Sequence, residues 1–155
     1  MQRLIPTLAE RSAWLKEHVI GGAAQIFSAD AQMLATNTPI VTVAETNGPS
    51  TNPLPIPYGN GKVKVTAIAQ IGTGTGVTAV QVRIRRNINA ENVVVGFVNN
   101  VAAAASAQIA VPVEFTDQVG DGRSVQYTVT VQQVGATGNG TISAGTTIDA
   151  MVMSG

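Results

Sequence analysis

The stretch Ser124-Val125-Gln126-Tyr127-Thr128-Val129-Thr130-Val131-Gln132 decides the fold class of this chain. Its apolar residues alternate with polar ones, which is the pattern of a strand with one buried face and one face in water. A Gly-rich break at 135–140 follows, and then come a short segment at Thr141–Ala144 and a final segment at 146–155. The sequence therefore predicts that the chain ends in three β-strands joined by short turns.

The last of these predicted strands is apolar on both faces. Ile148, Ala150 and Val152 alternate to one side, and Met151 and Met153 alternate to the other. A strand of this kind must be covered on both sides, and no helix follows it. We expect the second cover to be another copy of the chain, with Ile148, Met151 and Met153 as the contacts between copies.

The composition favours a β-rich protein that works in an assembly. The chain has 155 residues, which suits one main domain. It is 45% hydrophobic but only 12% charged, against about 25% charged in ordinary domains, so we expect a lone monomer to be poorly solvated. The nine basic residues balance the nine acidic ones, and no strong field attracts nucleic acid or a membrane surface. We expect neither as a partner.

Three further features concern the chemistry available to the chain and its cellular compartment. The chain contains no cysteine, which excludes disulfides and thiolate metal sites. The N-terminus, Met1-Gln2-Arg3-Leu4-Ile5-Pro6, lacks the apolar core of a signal peptide. No stretch approaches the roughly 20 apolar residues that cross a bilayer. We therefore expect synthesis in the cytoplasm without export.

The N-terminal segment is predicted to begin with a helix. Thr7 and Glu10 have the spacing of a capping box, the residues of about 8–20 favour helix, and Gly21-Gly22 would end it. One reading is a terminal helix packed on its own domain. The other is a docking arm, since a buried Trp is a common interface anchor. Under that second reading the docking residues are Leu8, Trp14, Leu15, Val19, Ile26 and Phe27.

Three predictions concern the chain between this helix and the main body. Residues 22–36 fit either a second short helix or an extended arm, and residues of about 40–44 are predicted to form the first strand. The four prolines in 47–61 exclude a helix and a central strand. We favour a rigid connection whose apolar residues lie against the body over a docking peptide for a Pro-reading groove. Residues 1–61 are thus assigned to an arm.

Residues 62–155 are predicted to form the body. Alternating segments at 62–71 and 78–86 are followed by strands at 92–98 and 108–115, where Pro112 indicates an edge strand or a bend. With the first strand and the three C-terminal ones, the count is about eight. Eight short antiparallel strands favour a two-sheet β-sandwich, with a jelly roll as the leading candidate. The Gly-rich run 72–76 is predicted to be a flexible hairpin because it lacks the ending of a phosphate-binding loop.

We find no residue pattern for catalysis. His18 is the single histidine, so serine nucleophiles in the body have no base partner, and one histidine alone makes no transition-metal site. Glu114, Asp117 and Asp121 could together bind calcium, but their spacing matches no EF-hand, and turn residues are the better interpretation. We therefore predict a non-enzymatic protein with no metal and no cofactor.

One cationic cluster is a second candidate site. Arg83 and Arg85 alternate to the same side of a predicted strand, and Arg86 follows. The cluster could form a basic patch for an acidic subunit, a phosphate or an acidic sugar, and a solvated face with scattered ion pairs is equally consistent. A glycan partner has no further support, because Tyr127 and Phe115 are expected to point inward.

The C-terminal pattern resembles that of a known group of proteins. Tyr127–Val131, the Gly-rich turn, Thr141–Ala144 and 145–152 are similar to the final hairpins of trimeric jelly rolls in bacteriophage fibre heads and capsid decoration proteins. The tumour-necrosis-factor and C1q-like group is more distantly similar. The resemblance covers about 62–155, and it implies a homotrimer whose last strand lies against the three-fold axis.

The resemblance implies one of two roles in a phage particle. A decoration (cement) protein would bind the major capsid protein on the capsid exterior and clasp neighbouring subunits with its arms. A fibre head or receptor-binding module is the alternative, but fibre proteins normally carry a long shaft, and this chain has no sustained heptad repeats. We therefore predict a structural virion protein of the cement type.

Overall fold

The described chain is all β. The computed structural model describes residues 26–41, 44–57, 61–120 and 123–153, and these residues form strands and turns without a helix. The strands are β1 (Ile26–Met33), β2 (Thr38–Ile40), β3 (Thr46–Ser50), β4 (Leu54–Pro55), β5 (Gly61–Gly72), β6 (Ala79–Ile88), β7 (Glu91–Ala102), β8 (Gln108–Val119), β9 (Ser124–Val134), β10 (Gly140–Ile142) and β11 (Thr147–Met153). Strands β2, β4 and β10 have only two or three residues. The other eight equal the predicted number, but β1 and β3 stand in place of the strands predicted at about 40–44 and at Thr141–Ala144.

The eight longer strands form two antiparallel sheets. The first sheet has the order β1-β11-β5-β8, and the second has the order β3-β9-β6-β7. Four antiparallel pairs, nested along the chain, lie within these sheets: β1 with β11 and β5 with β8 in the first, and β3 with β9 and β6 with β7 in the second. This is one long hairpin folded across two sheets, which is the jelly roll. The predicted fold class is confirmed.

Alternation along the strands fills the space between the sheets. In β5 the side chains of Val63, Val65 and Ala67 are at most 1% exposed, and Val129 and Val131 of β9 are fully buried opposite them. Full burial of each such Val stabilises the fold by about 1.5–3 kcal/mol relative to exposure. The period of two therefore accounts both for the strands and for the core that joins them.

The chain before residue 62 differs from the prediction. The prediction of a strand at about 40–44 is wrong, because β2 ends at Ile40 and Ala44 lies in a bend. Instead, β1 forms within 22–36, where seven of its residues pair with β11. Alanine favours helix locally, but the open edge of β11 supplies backbone hydrogen bonds that outweigh this propensity.

The described part of the predicted arm therefore belongs to the sandwich. Strands β1 to β4 are shared between the two sheets, so the boundary placed between residues 61 and 62 does not mark the start of the body. The helix predicted for about 8–20 lies outside the described residues.

The Pro-rich connection lies at a sheet edge. Strands β3 and β4 each pair with β9, which is where prolines are tolerated. Leu54 and Ile56 are each 3% exposed, so these side chains pack into the body and are not free to dock in a partner's groove. Pro112 lies in β8, an edge strand of the first sheet that pairs with β5. Both expectations from the prolines are confirmed.

The Gly-rich run at 72–76 is not a hairpin. Strands β5 and β6 lie in different sheets, so this run carries the chain from one sheet to the other. A Cβ atom on Gly74 would collide with the carbonyl oxygen of Gly138. The Thr73 hydroxyl donates to Ala104 O at 2.7 Å and accepts from Ala107 N at 2.8 Å. Glycine is required here by close packing of loops.

Candidate interaction surfaces

The outer face of the first sheet carries an apolar band along two neighbouring strands. We call it the β1–β11 band, and its residues are Ile26, Phe27, Ala29, Ala31, Met33, Met151 and Met153. The register places Ala29 opposite Met151 and Ile26 opposite Met153. Ile26, Phe27 and Met33 are 56%, 48% and 65% exposed. The band is an exposed apolar surface on an ordered sheet.

Hydrogen bonds on the inner side of β1 fix the direction in which this strand faces. Its inward side chains are the polar residues Ser28, Asp30 and Gln32, which lie beside the buried face of β11. The Asp30 carboxylate accepts from the backbone N–H of Asn52 at 2.7 Å and from the Asn52 amide at 3.1 Å. The backbone hydrogen bond from Asn52, with a further one from Gln32, lowers the pKa of Asp30. Because Asp30 and Gln32 form hydrogen bonds on the inner side, alternation along β1 places its apolar side chains outward.

The predicted contacts between copies fall on two different faces of β11. Ile148 is fully buried in the sandwich core, so it does not reach a partner and this assignment is corrected. Met151 and Met153 point outward and are half-buried. Strand β11 is also paired on both edges, by β1 and β5. The sandwich itself thus covers the inner face of the strand, and the outer face remains a candidate contact.

The predicted docking residues are described only in part. Ile26 and Phe27 belong to the β1–β11 band, where Phe27 is the extra residue of a bulge between Ile26 and Ser28. Leu8, Trp14, Leu15 and Val19 lie outside the described residues.

Charged side chains border the band. Lys62 is opposite Met153, Lys64 is opposite Met151, and Asp149 is opposite Ala31 on one side and Thr66 on the other. Lys64 forms an ion pair with Glu114 at 3.1 Å. Lys62 and Asp149 are exposed, and neither has an ion pair within the described residues. This face therefore carries two cations and two carboxylates around its apolar strip.

The predicted basic patch is largely neutralised. On the outer face of the second sheet, Arg85 Nε donates to Glu45 Oε1 at 2.5 Å and its NH2 donates to Glu45 Oε2 at 2.7 Å. Arg83 NH1 contacts the same carboxylate at 3.2 Å and Gln132 Oε1 at 2.9 Å. The Thr130 hydroxyl also donates to Glu45, at 2.5 Å. The hydrogen bond from Arg85 is the largest of the effects that lower the pKa of Glu45 to about 2.

Arg86 lies on the opposite face from Arg83 and Arg85. It continues the row of inward-facing residues of β6. Its NH1 group donates to both oxygens of Asp117, at 2.9 and 3.1 Å. The Tyr127 hydroxyl donates to the same carboxylate at 2.8 Å. Burial, followed by the negative charge of Asp117, raises the pKa of Tyr127. This group of three joins β8 of one sheet to β6 and β9 of the other, so the three arginines do not form one patch.

The carboxylates weighed as a calcium site do not come together, and Asp117 is not the turn residue expected, because it lies within β8. Glu114 points outward and Asp117 points inward on the same strand, and Asp121 lies outside the described residues, as does His18. Among the described side chains, no group of three or more His, Cys, Asp or Glu residues is arranged to hold a metal ion. The described part of the chain also contains no helix long and apolar enough to cross a membrane.

The aromatic side chains divide between core and surface. Tyr127 is fully buried, and Phe115 contacts it edge to face at a ring-centre distance of 6.3 Å. A Cβ on Gly96 would lie 2.5 Å from the Phe115 ring, which is why that position of β7 is a glycine. Phe97, opposite Arg83, is 61% exposed. The inward orientation expected for Tyr127 is confirmed, and Phe97 is an exposed aromatic that the prediction did not single out.

Two surface features were missed at the level of sequence. The β1 segment does alternate, with Phe27, Ala29 and Ala31 separated by polar residues, so its period of two was available as a signal. The role of Glu45 had no such signal, because its partner Arg85 is 40 positions away.

The fold was compared with those of known proteins. No family model matches the chain, and no curated protein matches it. A chain from the structure of infectious bursal disease virus strain Gt aligns over 83% of this protein with a TM-score of 0.51 and 8% identity. This protein spans 33% of that viral chain. The TNF protein Eiger from S. frugiperda aligns over 82% of this chain and 92% of its own, with a TM-score of 0.43 and 7% identity. At 8% identity, the similarity to the viral chain shows a shared fold alone, and that fold is a jelly roll.

Proposed function

We propose that this protein is a structural virion component of the decoration type. It forms a homotrimer on the exterior of a phage capsid and stabilises the shell by clasping neighbouring copies of the major capsid protein. The observation that carries the proposal is the β1–β11 band, an exposed apolar strip on a rigid sheet. Surfaces of this kind mark contacts with other proteins.

Three other observations support the proposal. The fold is shared with a chain of a virus particle. Only 12% of the residues are charged, a composition that suits a permanently assembled subunit. The ionisable groups of Glu45 and Asp117 are already bound by arginines, which fits a stable scaffold better than a catalytic site. We therefore propose a non-enzymatic role without a cofactor, in the virion and without nucleic acid or membrane as partner.

In this proposal, the N-terminal residues supply the capsid contact. Trp14 and Leu15 are the strongest anchor candidates, because large apolar side chains dominate interface energies. Three linked arms bind more tightly than one, because the second and third contacts are intramolecular. No chemical step is required for this function.

The test is binding to a panel of expanded, undecorated phage capsids. The full chain is compared with the double variant Trp14→Ala/Leu15→Ala. The control variant is Glu91→Gln, which changes an exposed side chain at the start of β7. Point variants are used because deletion of the whole N-terminal segment would also remove β1, which begins at Ile26 and belongs to the sandwich. We expect saturable binding that the double variant loses and the control retains. Failure of the full chain to bind any capsid would contradict the proposal.

A fibre head or glycan-binding module is the second candidate. The observation that favours it is Phe97, which is 61% exposed beside the polar row of Arg83. Sugars stack on exposed aromatic rings while polar neighbours bind their hydroxyl groups. Binding of the protein to a glycan array or to host cells, lost in Phe97→Ala while capsid binding is absent, would favour this role over decoration.

A further inference from the structure

We propose that residues 8–20 fold back over the β1–β11 band of their own chain and shield it in the free protein. This inference deepens the proposed function and rests on it in one respect, because Trp14 and Leu15 belong to the same segment and are the proposed capsid anchors. A single apolar stripe cannot contact the band and the capsid at once. Docking of the segment therefore keeps the unassembled protein closed, and capsid binding opens it.

The first step in the argument is the shape of the band. Its apolar side chains follow one another along β1, and on β11 the band is interrupted by Asp149, which lies beside Ala31. Ala29 and Ala31 carry the smallest side chains of the band, and the bulkier Phe27 and Met33 lie at either end of them. The middle of the band is therefore a shallow trough, into which the larger side chains of a helix can pack.

The second step is the apolar stripe of the segment. In the predicted helix, Leu8, Leu15 and Val19 fall on one side. A helix of about 13 residues is marginal alone in water and gains its stability by packing its apolar side on a neighbouring surface. The trough along β1 has a matching length, since its eight residues span roughly 26 Å and the helix roughly 20 Å.

The third step is the choice of occupant. The predicted helix ends near residue 20, and β1 begins at Ile26, so the connection between them reaches at most about 20 Å. This is enough to climb the ~10 Å between packed layers, and Gly21-Gly22 permits the chain to reverse its direction. So short a connection holds the segment beside the band at an effective concentration in the millimolar range. A second copy of the chain at micromolar concentration competes poorly with it.

The fourth step concerns charge. Asp149 is exposed within the band and forms no ion pair among the described residues. An apolar cover over this carboxylate is costly unless the cover also brings a cation. With Val19 above Phe27, Arg11 lies about 12 Å further along the helix. Ala31, the neighbour of Asp149, lies about 13 Å along β1 from Phe27, so Arg11 is placed to pair with Asp149.

The test is a crosslink within the full chain, which has no cysteine of its own. The same register puts Leu15 above Ala29, so the variant Leu15→Cys/Ala29→Cys is treated with a short thiol-to-thiol crosslinker at low protein concentration. The matched control is Leu15→Cys/Ala110→Cys, because Ala110 is also an exposed alanine of the first sheet but lies on β8, three strands from β1. We expect a link within one chain of 15.9 kDa in the first variant and little or none in the control.

Charge variants then test the orientation of the segment. In the Leu15→Cys/Ala29→Cys background, Arg11→Glu places like charges together and should lower the yield of the link about two- to fivefold, as expected for an exposed ion pair. The further change Asp149→Arg restores opposite charges and should recover the yield. Glu17→Lys, a reversal on the opposite side of the predicted helix, is the control and should leave the yield unchanged.

The outcomes separate this inference from the proposed function. Links between chains instead of within one, equal links in the control, or no effect of the charge variants would overturn the docking. The crosslinked protein should also lose the capsid binding that the same variant shows before crosslinking, and retained binding would overturn the shielding. If the link forms within the chain but wild type binds no capsid, the docking stands and the decoration role fails. If wild type binds capsids but no link forms, the decoration role stands without the docking.

Discussion

Neutralising the Glu45 carboxylate should destabilise the protein in a way that depends on pH. The carboxylate accepts from Arg85 at 2.5 and 2.7 Å, from Arg83 at 3.2 Å and from the Thr130 hydroxyl at 2.5 Å. It ties the loop before β3 to the outer faces of β6 and β9. The variant Glu45→Gln keeps the shape of the side chain but removes the charge that holds both arginines.

The magnitude follows from the pKa of Glu45. A fall from 4.5 to about 2 would be worth about 3 kcal/mol at full strength. The cluster is partly exposed, with 22% of the Glu45 side chain accessible to solvent, so screening reduces the contribution to about 1–2 kcal/mol. Because folding lowers the pKa, this stabilisation is fully present above about 4.5 and is lost as the pH falls through about 2.

The assay is urea unfolding of wild type and Glu45→Gln at one protein concentration, since the proposed assembly would make stability depend on concentration. At pH 7 the variant should be less stable by about 1–2 kcal/mol. The difference should begin to shrink below pH 4.5 and be small near pH 2. The control Glu91→Gln, an exposed carboxylate on the same sheet, should change stability by less than about 0.5 kcal/mol. A difference for Glu45→Gln that is absent at pH 7, or equally large at pH 7 and pH 2.5, would show that the ionised Glu45 carboxylate does not stabilise the fold.

Two further predictions concern positions inside the sandwich and at its edge. Ala90 has a positive φ of 71° in the two-residue turn after β6, next to Asn89 at 48°. Left-handed backbone costs a residue with a Cβ about 1–2 kcal/mol. Ala90→Gly removes this cost but raises the conformational entropy of the unfolded chain, so the free energy of unfolding should rise by ~0.5 kcal/mol. Asn89→Gly should be nearly neutral in the same thermal unfolding assay, and a loss on Ala90→Gly would contradict the turn assignment. Asp117→Leu should lower the free energy of unfolding by about 3 kcal/mol, because it leaves the Arg86 charge without its partner. The double variant Arg86→Met/Asp117→Leu should recover part of that loss in urea unfolding. Equal losses in the single and double variants would argue against the ion pair.

The fold was largely predictable because its main signal is local. Alternation of side chains along a strand is a property of adjacent residues, so the faces of Val129, Met151 and Val152 could be assigned before any contact was known. At 22–36 the local signals disagreed, because alanine content favours helix while Phe27, Ala29 and Ala31 alternate with polar residues, and pairing with β11 decided for a strand. The local signal failed at 72–76, because the same glycine-rich sequence serves a hairpin or a crossover between sheets.

The candidate site was predictable only in part, since it depends on which strands become neighbours. The outward direction of Met151 and Met153 was available from the sequence. The extension of their surface by Ile26 required the pairing of β1 with β11, which joins the two ends of the described chain. The burial of Ile148 likewise depends on which face of β11 the second sheet covers.

Local patterning is enough to establish that this chain forms a β-sandwich and which side of most strands is apolar, because both properties follow from a period of two within each strand. Three features depend instead on how the strands come together: Arg83 and Arg85 share Glu45, Arg86 points inward to Asp117, and two distant strands form one exposed apolar band. These features arise from contacts between residues 31 to more than 100 positions apart. No local pattern encodes the choice of partner at that separation.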